Sequence, residues 1–241
     1  MPELLRYGRP VRTVFDLLGT SEDDITHAVG WGLAKSERFC RALMAEAFGD
    51  DADISELTAV RLQQSDSEAG RTDIEVESQL RTLTVEAKRG WNLPGTPQLR
   101  KYAQRLNEDD ERSGHILVVS ECRPDYPPVR AVPNDIDGVP ITYMPWSRVA
   151  ELVDSTVRGV RRPTEKELLG ELHRYLKELM TTQNTTSNLV YVAPLNDNSL
   201  DWSTLTFLDF VVERHRYFHP VGKGYPKTPV NYVGSVLTGA C

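Results

Sequence analysis

The sequence lacks the features that mark membrane, secreted and disulfide-stabilised proteins. It has no run of about 18 apolar residues, so we expect no membrane-spanning helix. Its first residues contain no apolar segment of the kind found in secretion signals, and we therefore expect a cytoplasmic protein. Its three cysteines are too few and too widely spaced for a disulfide framework or a zinc site: Cys40, Cys122 and Cys241.

The sequence also lacks an excess of positive charge. Its 28 Lys and Arg residues are outnumbered by 35 Asp and Glu residues, which gives a formal net charge of −7. A chain of this charge has no overall attraction for a phosphate backbone, so any nucleic-acid site must be a local one. The 241 residues, of which 39% are hydrophobic, suffice for one large domain or two small ones with a buried core.

Hydrophobic patterning predicts a helix, three strands, a second helix and a fourth strand in the N-terminal part. The predicted segments are a helix over 20–48, strands over 57–63, 71–77 and 81–88, a helix over 98–106 and a strand over 115–120. A strand over 141–144 and a helix over 145–153 follow. The basic, turn-rich stretch 158–163 predicts a boundary between a core of residues 1–157 and a smaller α+β segment of residues 158–241.

Residues 70–88 are the most informative segment, because apolar and polar residues alternate on both sides of a short turn. The two halves therefore predict a hairpin of half-buried strands. Pairing apolar with apolar residues sets Val76 opposite Leu83. The same register sets Asp73 opposite Glu86 on the polar face of the hairpin.

Two carboxylates that face each other across a hairpin need a compensating charge. Directly opposed residues have Cβ atoms about 4.5–5.5 Å apart, where like charges destabilise a sheet. A divalent cation between Asp73 and Glu86 would remove the repulsion, and Mg²⁺ prefers oxygen ligands. Lys88 lies on the same face, where its ammonium could orient a water and stabilise charge that develops on a phosphate. A solvent-exposed strand face with mixed charges would show the same residues, and this alternative stays open.

Asp73, followed by Glu86-Ala87-Lys88 in this order of helices and strands, resembles the motif of the PD-(D/E)XK nuclease superfamily. Thr72 stands where the name of the superfamily has proline. The resemblance covers roughly residues 20–150 and implies an α/β fold with a restriction-endonuclease-like core, in which helices flank a central mixed sheet. It implies that Asp73 and Glu86 bind Mg²⁺ or Mn²⁺ through their side chains and Ala87 through its carbonyl. It further implies that Lys88 activates or orients the attacking water.

Two further features are similar to that superfamily. Gln98 and Tyr102, which share a helix face, resemble the Gln-x-x-x-Tyr element of the RecB-type branch, and this implies contacts with the nucleic-acid backbone. Glu22, near the start of the first helix, resembles an additional acidic metal ligand. A core Tyr beside a surface Gln is the alternative for the first feature. Stabilisation of the helix dipole by Glu22, Asp23 and Asp24 is the alternative for the second.

These features together predict a Mg²⁺- or Mn²⁺-dependent nuclease, with DNA as the expected substrate and RNA as an alternative. The rival hypothesis is a non-catalytic protein of the same fold that binds DNA or a protein partner. The net negative charge favours the rival, whereas the complete set of Asp73, Glu86 and Lys88 favours the enzyme. A homo-oligomer is compatible with either hypothesis. His215 and His219 have a metal-like spacing, but we interpret them as ordinary histidines of a loop or helix end.

Overall fold

A computed structural model of this chain describes residues 2–49, 54, 56–66, 70–90, 92–186, 190–195, 205–214 and 232–237. The chain divides into two compact units, Met1–Met180 and Thr181–Cys241. The larger unit is an α/β unit built around one six-stranded mixed sheet, as predicted.

The larger unit begins with a hairpin of two strands, each two residues long. A short 3-10 helix, Val14–Leu17, follows before the main elements. The main helices are α1 (Glu22–Lys35), α2 (Glu37–Phe48), α3 (Thr96–Asn107), α4 (Trp146–Gly159) and α5 (Pro163–Thr186). The strands of the sheet are β1 (Leu57–Leu62), β2 (Ile74–Ser78), β3 (Arg81–Ala87), β4 (Ser113–Ser120), β5 (Asp135–Ile136) and β6 (Val139–Pro145). A two-residue strand pair, Ser65–Asp66 with Gly70–Arg71, precedes β2, and a helical turn, Pro127–Arg130, precedes β5.

The sheet has the strand order β1-β2-β3-β4-β6-β5. Strands β1, β2 and β3 pair antiparallel, β3, β4 and β6 pair parallel, and β5 pairs antiparallel with β6. The predicted register of the β2–β3 hairpin is confirmed, since Ile74 lies opposite Val85 and Val76 opposite Leu83. Strand β3, which contains Glu86 and ends one residue before Lys88, therefore has a neighbouring strand on each side.

Helices cover both faces of the sheet. On one face, α1, α2, α4 and α5 pack against the apolar side chains of the central strands, Val76 and Leu83 among them. On the other face, α3 packs against β4 and β6 through Leu99 and Leu106. Burial of both faces explains why the apolar core forms two clusters, one on each side of the sheet.

The polar face of the β2–β3 hairpin is not half-buried, so that expectation is wrong. Thr84 is 0% exposed and Glu86 is 1% exposed. The cause is α3, which returns across this face and brings Tyr102 and Arg105 onto its carboxylates. A charged face under a helix must satisfy its charged groups internally, and the contacts described below do so for Glu86, whereas the buried hydroxyls of Thr82 and Thr84 have no hydrogen-bond partner among the described residues.

The single helix predicted over 20–48 is two helices. Ser36 leaves the helical conformation, with φ −131° and ψ 100°, and its hydroxyl accepts a hydrogen bond from the Phe39 N–H at the start of α2. The same hydroxyl donates to Glu165 of α5 at 2.7 Å. A distant contact thus fixes the break between α1 and α2.

The boundary predicted between residues 157 and 158 differs from the division of the compact units. Helix α5 begins at Pro163, yet its apolar stripe, which includes Leu172 and Leu176, belongs to the core of the larger unit. The smaller unit contains α6 (Phe207–Val212) and a parallel pair of strands, β7 (Val190–Leu195) and β8 (Tyr232–Leu237). Within the described ranges, every helix is too short or too polar to cross a membrane.

Candidate active site

The carboxylates of Asp73 and Glu86 lie at one end of the β2–β3 hairpin. The ladder ends at Ile74 opposite Val85, and Asp73 directly precedes β2. Its Oδ2 accepts a 2.8 Å hydrogen bond from the Ala87 N–H, so a side chain continues the pairing where the backbone ladder stops. Asp73 is 4% exposed, and the charge of Glu86 acts on it. The hairpin register therefore brings two buried acids together.

Two side chains of helix α3 contact the carboxylate of Glu86. The Gln98 amide donates to its Oε1 at 2.7 Å, and the Tyr102 hydroxyl lies 2.7 Å from its Oε2. The same amide donates to the Tyr102 hydroxyl at 2.8 Å, and that hydroxyl also lies 2.8 Å from the Arg71 carbonyl oxygen. Gln98 and Tyr102 can both reach the Glu86 carboxylate because residues four apart project from one face of the helix.

The immediate partner of Gln98 and Tyr102 differs from the expected one. We expected both side chains to face the nucleic-acid backbone, but Tyr102 is 1% exposed and its hydroxyl bonds Glu86. Burial and the charge of Glu86 raise the pKa of Tyr102, so the phenol remains a proton donor. In this structure the pair fixes the orientation of a carboxylate.

The Lys88 ammonium bridges two carboxylates at the end of β3. Its Nζ lies 2.6 Å from Glu86 Oε1 and 3.1 Å from Glu22 Oε1. The second oxygen of Glu22 accepts a 3.0 Å hydrogen bond from the Arg89 N–H. The side chain of Lys88 is 21% exposed and that of Glu22 is 33% exposed, so solvent reaches the cluster along these two residues.

The three acids at the start of α1 have separate roles. Glu22 reaches Lys88, as described above. Asp23 pairs with Arg71 at 2.9 Å, and Asp24 accepts hydrogen bonds from Ser21, the residue that caps the helix. Of the three acids, Glu22 is the one whose carboxylate contacts Lys88.

Burial and charge perturb the acids and the lysine in a consistent way. Burial, together with the negative charge of Glu86, raises the pKa of Asp73 to about 6, and the Ala87 N–H and the Lys88 charge only partly oppose this. Burial lowers the pKa of Lys88, but the hydrogen bonds and charges of Glu86 and Glu22 outweigh that effect and raise it overall. The cluster therefore holds excess negative charge around a protonated ammonium.

A divalent ion fits the oxygen chemistry of Asp73 and Glu86. The described residues contain no group of three or more His, Cys, Asp and Glu side chains arranged to share one ion, and Glu22 is instead held by Lys88 and the Arg89 N–H. Mg²⁺ is, however, commonly bound by one or two carboxylates, with water and phosphate oxygens completing its shell. Burial and the charge of Glu86 both raise the pKa of Asp73, and a cation bound between the two acids would relieve their repulsion.

The sequence did not predict two residues that lie close to the end of β3, Glu121 and Trp146. The Arg89 guanidinium lies 2.7 Å from Glu121, whose side chain is 3% exposed and whose oxygens have no aligned hydrogen-bond donor among the described residues. The Trp146 indole donates to the Lys88 carbonyl at 3.0 Å. Glu121 directly follows β4, and because parallel strands end at the same edge of a sheet, its position beside the end of β3 was a usable signal.

His115 does not extend this site. His115 lies on β4, 5% exposed, with its Nε2 2.8 Å from the Thr142 hydroxyl, and burial lowers its pKa to about 4. Such a ring is neutral and structural near pH 7. His215 and His219 lie outside the described residues.

Comparison with known proteins adds no relative. No protein-family model matches the chain, and no match is found among curated proteins or among solved structures. A functional assignment therefore depends on the geometry of Asp73, Glu86 and Lys88 and their neighbours.

Proposed function

We propose that this protein is a metal-dependent phosphodiester hydrolase that cleaves nucleic acid, with DNA as its substrate. The observation that carries the proposal is the Lys88 ammonium, 2.6 Å from Glu86 and 3.1 Å from Glu22, beside the buried Asp73. Phosphodiester hydrolysis needs a fixed cation and oxygen ligands at one place, because negative charge grows on the phosphate as water attacks. The likeness of these residues to the PD-(D/E)XK motif supports the proposal, as does the order of elements from α1 to β4.

Asp73 and Glu86 are the residues that would hold Mg²⁺ or Mn²⁺. Their carboxylates are buried and close enough to raise the pKa of Asp73, and a hard dication is the usual partner of such an oxygen pair. When bound, the ion would supply Lewis-acid polarisation of the phosphodiester and of a nearby water.

The other residues orient the reacting groups. Lys88 has a raised pKa and stays protonated near neutral pH, so it would donate hydrogen bonds to the attacking water or to a phosphate oxygen instead of removing a proton. Glu22 keeps the ammonium in place. Gln98 and Tyr102 act as positioning residues, because they hold both oxygens of Glu86.

Cleavage assays on the full chain test the proposal. Linear duplex, circular duplex and single-stranded DNA, with single-stranded RNA beside them, are incubated with Mg²⁺, Mn²⁺ or EDTA and resolved on gels. Cleavage should need the metal, and Asp73→Ala, Glu86→Ala and Lys88→Ala should each abolish it. Glu77→Gln is the matched control, because Glu77 lies four residues after Asp73 on β2 and its carboxylate pairs with Arg61 at 2.9 Å and Arg112 at 3.3 Å.

Two results would count against the proposal. Cleavage by Lys88→Ala at the wild-type rate would remove Lys88 from the site. A wild-type protein that binds DNA in Mg²⁺ but cleaves none of the four substrates would favour the non-catalytic rival. Thermal melting of each variant separates lost chemistry from lost folding, since these substitutions remove no apolar core volume.

A further inference from the structure

A second charged pocket lies in the larger unit, where α1 passes into α2 and α4 passes into α5. Its volume is about 660 Å³, within the range of ligand pockets. Five cationic side chains line it: Lys35, Arg38, Arg41, Arg161 and Arg162. Two carboxylates, Glu37 and Glu165, also line it, which leaves an excess of three positive charges. The chain as a whole carries a net charge of −7, so this excess is a local departure from the overall balance.

The two carboxylates of the pocket are already engaged. Glu165 accepts a 2.7 Å hydrogen bond from the buried Ser36 hydroxyl. Glu37 pairs with Arg41 at 2.8 Å, and the Arg41 guanidinium also bonds the Ile54 carbonyl. Glu37 is therefore engaged by Arg41, whereas Glu165 keeps its negative charge, and the excess of three positive charges already allows for both acids.

Three arginines of the pocket lack such partners. In the part of the chain that the structure describes, Arg38, Arg161 and Arg162 make no side-chain ion pair or hydrogen bond, whereas the neighbouring Arg158 pairs with Asp154 at 2.7 Å. Arg38 extends over Gly159, where an added Cβ would lie 2.8 Å from its Nη1. The absence of a side chain at position 159 thus leaves room for a free guanidinium at the pocket.

We propose that this pocket, which lies at the α1–α2 and α4–α5 junctions, binds the phosphate groups of an oligophosphate ligand. Unpaired guanidinium groups present planar forks of N–H donors that match phosphate oxygens. The backbone of single-stranded nucleic acid and a free oligophosphate share this chemistry. The exposed Trp31, one turn before Lys35 on α1, favours the nucleic acid. It is 52% exposed, and although the Lys35 ammonium lies over one face of its ring, 4.6 Å from the centroid, a base could stack on the opposite face.

The pocket is distinct from the proposed active site. Glu22 and Lys35 stand at opposite ends of α1, about 20 Å apart at 1.5 Å per residue. The inference therefore does not rest on the proposed hydrolase activity, and it is tested without cleavage.

Binding measurements in EDTA test the pocket with the full chain. The probes are a fluorescein-labelled oligothymidylate of about 20 nucleotides, followed by anisotropy, and inorganic tripolyphosphate, followed by calorimetry. Arg161→Gln combined with Arg162→Gln should weaken binding by about tenfold or more, because hydrogen bonds to charged groups are lost at both positions. The oligonucleotide affinity should also become less salt-dependent, with a slope smaller by about 1.4 for two lost phosphate contacts. Arg123→Gln is the matched control, an exposed arginine that pairs with Asp125 at 3.2 Å.

The two probes distinguish the sources of phosphate. Loss of oligonucleotide binding, alone or together with tripolyphosphate binding, identifies the nucleic-acid backbone as the ligand, and Trp31→Ala should then weaken oligonucleotide binding about fivefold or more. Loss of tripolyphosphate binding alone identifies a free oligophosphate. A wild-type protein that binds neither probe, or a double variant that binds both as Arg123→Gln does, would overturn the proposal. Melting curves confirm that the variants are folded.

Discussion

Replacing Asp73 with Asn should stabilise the metal-free protein at neutral pH. The charged form of Asp73 is disfavoured by burial and by Glu86, which raise its pKa to about 6 from the ordinary value of 3.8. An Asn side chain carries no charge, and its oxygen can still accept the 2.8 Å hydrogen bond from the Ala87 N–H. The substitution thus removes the repulsion and keeps the contact.

The size of the effect follows from the pKa difference. A rise from 3.8 to about 6 corresponds to roughly 3 kcal/mol between the two protonation states. Because the folded pKa is raised, the protonated side chain favours folding below pH 3.8, and this contribution is lost as pH rises towards and through about 6. Above that pH, Asp73→Asn should be more stable than wild type by up to about 3 kcal/mol. For a unit of this size that is about 6–12 °C in melting temperature.

Thermal melting in EDTA between pH 3.5 and pH 8 measures the effect on both proteins. The gap between Asp73→Asn and wild type should be small at the acid end, open between about pH 4 and pH 6, and stay constant above. Glu77→Gln should instead lower the melting temperature at neutral pH, because hydrogen bonds from Arg61 lower the pKa of Glu77 and stabilise its charged form. An Asp73→Asn protein that melts at or below the wild-type temperature at pH 7.5 would refute the reasoning.

Three further perturbations test the contacts around the site. Millimolar Mn²⁺ at pH 7.5 should raise the melting temperature of wild type. At a hundredfold excess over Kd, the ion should add about 2.7 kcal/mol to the free energy of unfolding. Asp73→Asn should lose most of that rise, and equal shifts in both proteins would exclude a two-carboxylate site. Tyr102→Phe should cost about 1–2 kcal/mol in urea unfolding and slow cleavage without abolishing it, because buried Glu86 loses a donor; an unchanged midpoint would contradict the hydrogen bond. Ser36→Ala should cost about 1–2 kcal/mol, because it removes the cap of α2 and the partner of Glu165, whereas Ser36→Thr, which keeps the hydroxyl, should cost less.

The hairpin could be predicted from sequence because its information is local. Alternating residues fix which side chains share a face, and the need to pair apolar with apolar residues fixes the register, as Ile74 opposite Val85 confirms. The break between α1 and α2 could not be predicted in this way. Helical periodicity continues on both sides of Ser36, and its second hydrogen bond goes to Glu165, 129 residues away.

The candidate site was predictable to the same extent. Local rules place Asp73, Glu86 and Lys88 on one face of the hairpin. They do not say what covers that face, and the contacts of Tyr102 with Glu86 depend on how α3 crosses the sheet. Glu121 was missed because its partner, Arg89, is brought near by parallel pairing of β3 with β4, which joins distant parts of the chain.

The hydrogen bond from the Ala87 N–H to Asp73 gives the site a built-in spectroscopic reporter. The amide proton sits at the end of the β2–β3 ladder, and its acceptor is an ionisable side chain instead of a backbone carbonyl. Its chemical shift should therefore follow the charge on Asp73 through a pH titration. The Ala87 amide proton should also exchange with solvent faster when another group displaces it from Asp73 Oδ2. The amide resonance of Ala87 would thus report whether Asp73 is protonated, and the measurement needs no substrate.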